Sequence, residues 1–76
     1  MNKLVYHVTG KAPIMKDVAK LLNVLDLGIN GLYTDFAEKV IVTPAEGFNE
    51  DLFIEKLAEA YTKEGCLDVK VTKEMN

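Results

Sequence analysis

No serine occurs anywhere in this 76-residue sequence, and cysteine and histidine occur once each, as Cys66 and His7. The first absence removes hydrolases that use a serine nucleophile, and a lone cysteine can close no internal disulfide. A small domain without disulfides is expected in a reducing compartment. No run of about 18 apolar residues is present, so no transmembrane helix is expected. The amino-terminal MNKLVYHVTG has neither the apolar core nor the small-residue cleavage site of a secretory signal, which makes the cytoplasm the expected location. Positive charge is also in deficit. Nine lysines stand against twelve acidic residues, for a net charge of −3, and the pI is near 5.0. That balance argues against direct nucleic-acid binding by a basic surface and against attraction to anionic membranes. No repeat or low-complexity linker divides the chain, and residues 1–76 are read as one domain.

What is present is an ordinary apolar content of 49%, arranged with clear periodicity. The clearest stretch is residues 48–65, FNEDLFIEKLAEAYTKEG. Asn49 is a suitable N-cap, and Phe48 and Phe53 have the spacing of a hydrophobic staple. Glu50 and Asp51 fall in the first turn, where the helix dipole favours negative charge. Gly65 suits the left-handed position that ends a helix. Phe53, Leu57, Ala60 and Tyr61 recur at helical spacing, widened by Ile54 and Ala58. Asp51, Glu55 and Glu59 line the other side at four-residue intervals. Like charges so placed cost the helix roughly 0.2–0.5 kcal/mol per pair. Only Glu59 with Lys63 offers an obvious favourable pair, leaving the acidic row without an evident internal partner.

Around this helix the chain reads as follows. Residues 3–9 (KLVYHVT) are β-prone, with Leu4, Tyr6 and Val8 on one face and Val5, His7 and Thr9 on the other. A helix is expected from Pro13 to about Asp26, its stripe formed by Ile14, Val18, Leu21, Leu22 and Leu25, with Gly28 as its stop. Residues 29–36 make a second strand in which Gly31 marks a bulge or close approach. A turn at residues 35–38 leads into residues 39–43 (KVIVT), which Pro44 ends. After the capped helix, residues 67–73 (LDVKVTK) alternate, with Leu67, Val69 and Val71 inward. The order β-α-β-β-α-β predicts an α+β fold: a ferredoxin-like sandwich, with a four-stranded antiparallel sheet and two helices on one face.

Three further features carry a resemblance over nearly the whole length. The first strand runs into Gly10 (VTG), Gly28-Ile29 opens the second strand, and Glu64-Gly65-Cys66 precedes the last. In these the chain resembles the heavy-metal-associated domain of copper chaperones and metal-transporting ATPases. The resemblance implies the same βαββαβ architecture. It does not extend to that family's cysteine-x-x-cysteine motif, whose thiolates bind soft cations. Pro13 and Lys16 stand where the two cysteines would be, and Met15 with Cys66 would supply only two sulfurs. Metal transport is therefore not expected, and no cofactor is. Gly10-Lys11 before a helix would suit a phosphate, but the remainder of a Walker A motif is absent.

Two surfaces remain as candidate sites. Val5, His7, Tyr33, Ile41 and Thr43 are expected on the sheet face away from the helices, an apolar patch suited to a homodimer or partner contact. His7 has no evident nucleophile beside it, so no enzymatic activity is expected. Glu46, Glu50, Asp51, Glu55 and Glu59 gather five carboxylates within 14 residues, interrupted by Lys56. Lys11, Lys16 and Lys20 give the first helix the opposite sign. Carboxylates one turn apart, roughly 6 Å, approach the phosphate spacing of a DNA strand. The expectation is a non-enzymatic interaction protein whose acidic helix binds a basic partner. In its most specific form it is a DNA mimic that blocks a DNA-binding protein, a role suited to a phage inhibitor. The alternative is a degenerate scaffold or small-ligand domain related to the heavy-metal-associated fold.

Overall fold

A four-stranded antiparallel sheet carries the fold in the computed structural model, which describes residues 3–11, 18–35 and 38–74. The strands are β1 (Leu4–Thr9), β2 (Ile29–Asp35), β3 (Lys39–Pro44) and β4 (Lys70–Lys73). Their spatial order is β2-β3-β1-β4, so β1 with the buried Tyr6 and Val8 and β3 with the buried Val40 and Val42 occupy the centre. Register aligns Leu4 with Val42 and Tyr6 with Val40, which turns both pairs toward the same side. Among the described residues one α-helix, α1 (Glu50–Lys63), covers that side.

The period-2 pattern of the strands and the 3.6 period of α1 meet in one core. Tyr6 and Val8 from β1, Val40 and Val42 from β3, and Phe53, Leu57 and Tyr61 from α1 are all buried. Tyr6 and Phe53 pack with ring centroids 5.1 Å apart, and Phe48 lies 5.8 Å from Phe53 in the staple that the spacing predicts. Both ends of α1 follow their sequence signals. The Asn49 side chain accepts from the Leu52 N–H at 3.1 Å. At the other end the Gly65 N–H donates to the Thr62 carbonyl and the Cys66 N–H to the Tyr61 carbonyl, both at 3.1 Å. This is a Schellman closure, and it draws Cys66 into the core beside Tyr61.

The expected first helix differs from the structure. Residues 12–17, including Pro13, Ile14, Met15 and Lys16, lie outside the described residues. From residue 18 onward the chain makes a single 3-10 turn (Val18–Leu21) followed by further turns rather than continuing as α-helix. Val18 and Ala19 reach the core on the same side as α1, but Leu21 is 70% and Leu25 84% exposed. The local hydrogen bonds give the reason. Leu22, Leu27 and Gly28 N–H groups donate three residues back, and the Asn23 side chain captures the Leu25 N–H at 3.1 Å. An asparagine that bonds its own backbone two residues on competes directly with the helical ladder. Gly28 then takes a φ of +70°, where a Cβ would meet the Phe48 backbone nitrogen at 2.8 Å. Only glycine fits there, and the Ala45 N–H bonds to its carbonyl.

The irregularity of the second strand falls where it is expected, and the start of the last strand moves. Gly31 does sit at an irregularity, since the β2–β3 register shifts between Ile29 and Gly31. The last strand is shorter than residues 67–73, and Leu67 is 64% exposed rather than inward. Asp68 has a φ of +52°, which breaks the extended run, and the Leu67 carbonyl is held by the Lys11 N–H at 2.7 Å. Phe36 and Ala37 of the expected turn lie outside the described residues.

Candidate functional site

The acidic helix face is less uniform than its sequence. Glu50, at the first turn of α1, lies over the sheet between β1 and β4. Tyr6 and Lys73 are cross-strand partners, and both reach the same Glu50 oxygen. The Tyr6 hydroxyl donates to Oε2 at 2.7 Å and the Lys73 ammonium lies 2.9 Å from it. Lys73 first, and then the Tyr6 hydroxyl, holds the Glu50 carboxyl below the usual carboxylate range. Burial, reinforced by Glu50, pushes the Tyr6 phenol above its ordinary range. Glu59 is flanked by Lys63 at 3.2 Å and Lys56 at 3.9 Å. The Glu59–Lys63 pair is the one that the spacing predicts. The expectation that the rest of the acidic group has no internal partner is corrected at Glu50, which Lys73 compensates. Asp51 and Glu55 stay exposed without an ion pair among the described residues, one turn apart, and Glu46 is exposed just before the helix.

On the opposite side, strand parity brings together the residues expected on the open sheet face. Tyr33, Ile41 and Val5 are aligned across β2, β3 and β1, and His7 is aligned with Lys39 on β3 and Thr72 on β4. Thr43 lies opposite Gly31 on the same face. Tyr33 is 49% exposed, with the Lys3 ammonium 5.8 Å from its ring centroid. The His7 Nε2 is 3.1 Å from Glu74 Oε1. Sequence reading left His7 without a carboxylate neighbour and missed this one. Continuing the alternation of the last strand one residue past Lys73 would have placed Glu74 on that face.

A third feature lies where the resemblance would put a metal loop. A cleft is lined by Thr9, Gly10, Lys11, Asp68, Val69 and Lys70, and a Lys11–Asp68 ion pair of 2.9 Å crosses it. Lys11 thus serves this end of the sheet rather than a basic helix face, while Lys16 lies outside the described residues. Behind the cleft a Cβ on Gly10 would collide with the Cys66 sulfur. Cys66 is buried, so its thiol fills the space that the missing side chain leaves. Among the described residues no three His, Cys, Asp or Glu side chains converge as a metal site would require. Also among them, no helix is long and apolar enough to cross a membrane.

Compared with protein families, with curated proteins and with solved structures, the chain finds no match.

Proposed function

We propose that this protein is a non-enzymatic interaction domain that binds a positively charged partner protein through the outer face of α1. One observation carries the reading: Asp51 and Glu55, exposed and one turn apart, have no ion pair among the described residues, whereas Glu50 and Glu59 nearby do. The local repulsion is small, about 0.2–0.5 kcal/mol. A basic surface covering Asp51, Glu55 and Glu46 turns that repulsion into attraction and steers association. The group is shorter than the row that a DNA mimic would present, so the partner is recognised as a basic protein surface and blocking of a DNA-binding protein is one special case. The test is capture of partners from a lysate at low and high salt, with wild-type protein and the Asp51→Lys/Glu55→Lys variant. The reading requires a basic protein that is retained at low salt, released at high salt and lost with the variant. Capture indifferent to both salt and charge reversal would refute it.

A second reading concerns ancestry. The strand order β2-β3-β1-β4, with α1 and the Val18–Leu21 turn on one side, supports a ferredoxin-like sandwich. Within it, the contact of Gly10 with Cys66 favours a degenerate relative of the heavy-metal-associated domain acting as a scaffold or small-ligand domain. This version predicts a function dependent on residues 10–16 rather than on α1. Titration with Cu(I) and Zn(II) tests the metal-binding form, which micromolar or tighter binding would support.

A further inference from the structure

The sheet has two edges, and they are built differently. The β4 edge has four residues, two of them Lys70 and Lys73, and it is preceded by the left-handed Asp68. Short length, lysines and a broken approach are the usual means by which an edge is kept from pairing with another chain. The β2 edge has seven residues, INGLYTD, with no lysine and no proline. Its irregularity is confined to Ile29–Gly31, leaving Gly31 through Asp35 in unbroken register with β3. In such a strand alternate residues turn their N–H and C=O groups away from the neighbouring strand. Among the described residues, no backbone group of residues 30–35 is bonded outside the β2–β3 pairing. One edge carries these protective features among the described residues, and the other does not.

We propose that β2 pairs antiparallel with β2 of a second copy, about a two-fold axis at Tyr33, to make a continuous eight-stranded sheet. The occupant is a second copy because the strand is complementary to itself. In this register Tyr33 faces its counterpart, Leu32 faces Thr34, and Gly31 faces Asp35. No two residues of like charge are opposed, and the exposed Tyr33 rings meet as a cross-strand aromatic pair, an arrangement that favours pairing. The axis is perpendicular to the sheet, so α1 of both copies lies on the same side and the acidic faces stay accessible. The contact is isologous and closes after two copies, because pairing consumes the one open edge in each.

The experiment measures mass by sedimentation over a range of concentrations for the wild type, Tyr33→Glu and Ile41→Lys, with circular dichroism as the folding control. The expected result is a wild-type monomer–dimer equilibrium, weakened at least about tenfold by Tyr33→Glu, which sets two carboxylates opposite each other. Ile41→Lys, on the open face but away from the edge, leaves it unchanged. Tyr33→Cys provides a second reading that does not depend on the fold tolerating a carboxylate at this position. Residues facing each other across the axis form an intermolecular disulfide under mild oxidation, while the wild type with its buried Cys66 does not. A wild type that is monomeric at every concentration overturns the proposal. So does a dimer abolished by Ile41→Lys but not by Tyr33→Glu, which would place the contact face to face, and so does a Tyr33→Cys protein that fails to cross-link.

Discussion

The buried Tyr6 donates its hydroxyl to Glu50 across 2.7 Å, tying the middle of the central strand β1 to the first turn of α1. Lys73 of the neighbouring strand joins the same oxygen at 2.9 Å. A carboxylate at a helix N-terminus is favoured by the dipole alone, and here it also satisfies a tyrosine whose ring is in the core.

Glu50→Gln should therefore change how stability depends on acid. The folded-state pKa of Glu50 is lowered, so its contribution is fully present above the unfolded value of about 4.3 and is lost as pH falls through the folded value. Urea denaturation of wild type and variant should show the wild type ahead at pH 7, with the gap closing below about pH 4. A gap that stays constant across that range would show that the carboxylate gains nothing on folding.

Gly10 and Cys66 should prove energetically coupled. Gly10→Ala drives a methyl group into the Cys66 sulfur and is expected to cost about 1–3 kcal/mol. Adding Cys66→Ala opens that space, so the double variant should be more stable than the two separate losses predict. Strict additivity in denaturation midpoints would mean that the two residues do not share the site.

The exposed leucines offer a direct comparison with the core. Leu25→Ser should change stability by no more than about 0.5 kcal/mol, because Leu25 is 84% exposed. Leu57→Ala, at a position with no exposure, should cost about 2–5 kcal/mol. Thermal melts of the two variants separate these outcomes, and comparable losses would put Leu25 back in a packed helix.

Neutralising Asp51→Asn together with Glu55→Gln should separate binding from stability. Both side chains are exposed and unpaired among the described residues, so the fold should change by about 0.5 kcal/mol at most. Association with a basic partner should weaken and its dependence on salt should flatten. Unchanged affinity and salt slope would move the contact away from α1.

Much of this was legible from local pattern. Asn49, Phe48, Phe53 and Gly65 announced α1 and its two ends, and the alternation of β1 and β3 divided the core from the open face. The strip of Val5, Tyr33 and Ile41 followed from the same parity. The stretch from Val18 to Leu25 was misleading because its leucines have helical spacing, while Asn23 and Gly28 impose turns that apolar periodicity does not register. Leu67 misled for a similar reason, since alternation alone does not reveal the backbone reversal at Asp68.

The sequence by itself determined the elements whose signals lie within a turn or a strand: the caps of α1, its apolar stripe, and the inward and outward sets of β1 and β3. The Glu59–Lys63 pair was legible from its four-residue spacing, but only the tertiary structure decided that Glu50 is compensated as well. Glu50 meets Tyr6 from 44 residues away, and His7 meets Glu74 across 67. Periodicity constrains neighbours along the chain, but these partners are brought together by the strand order β2-β3-β1-β4, which also makes β2 an edge strand. The acidic group is one pattern in the sequence; folding divides it, because Glu50 reaches Tyr6 and Lys73 on the sheet while Glu59 is paired within its own helix.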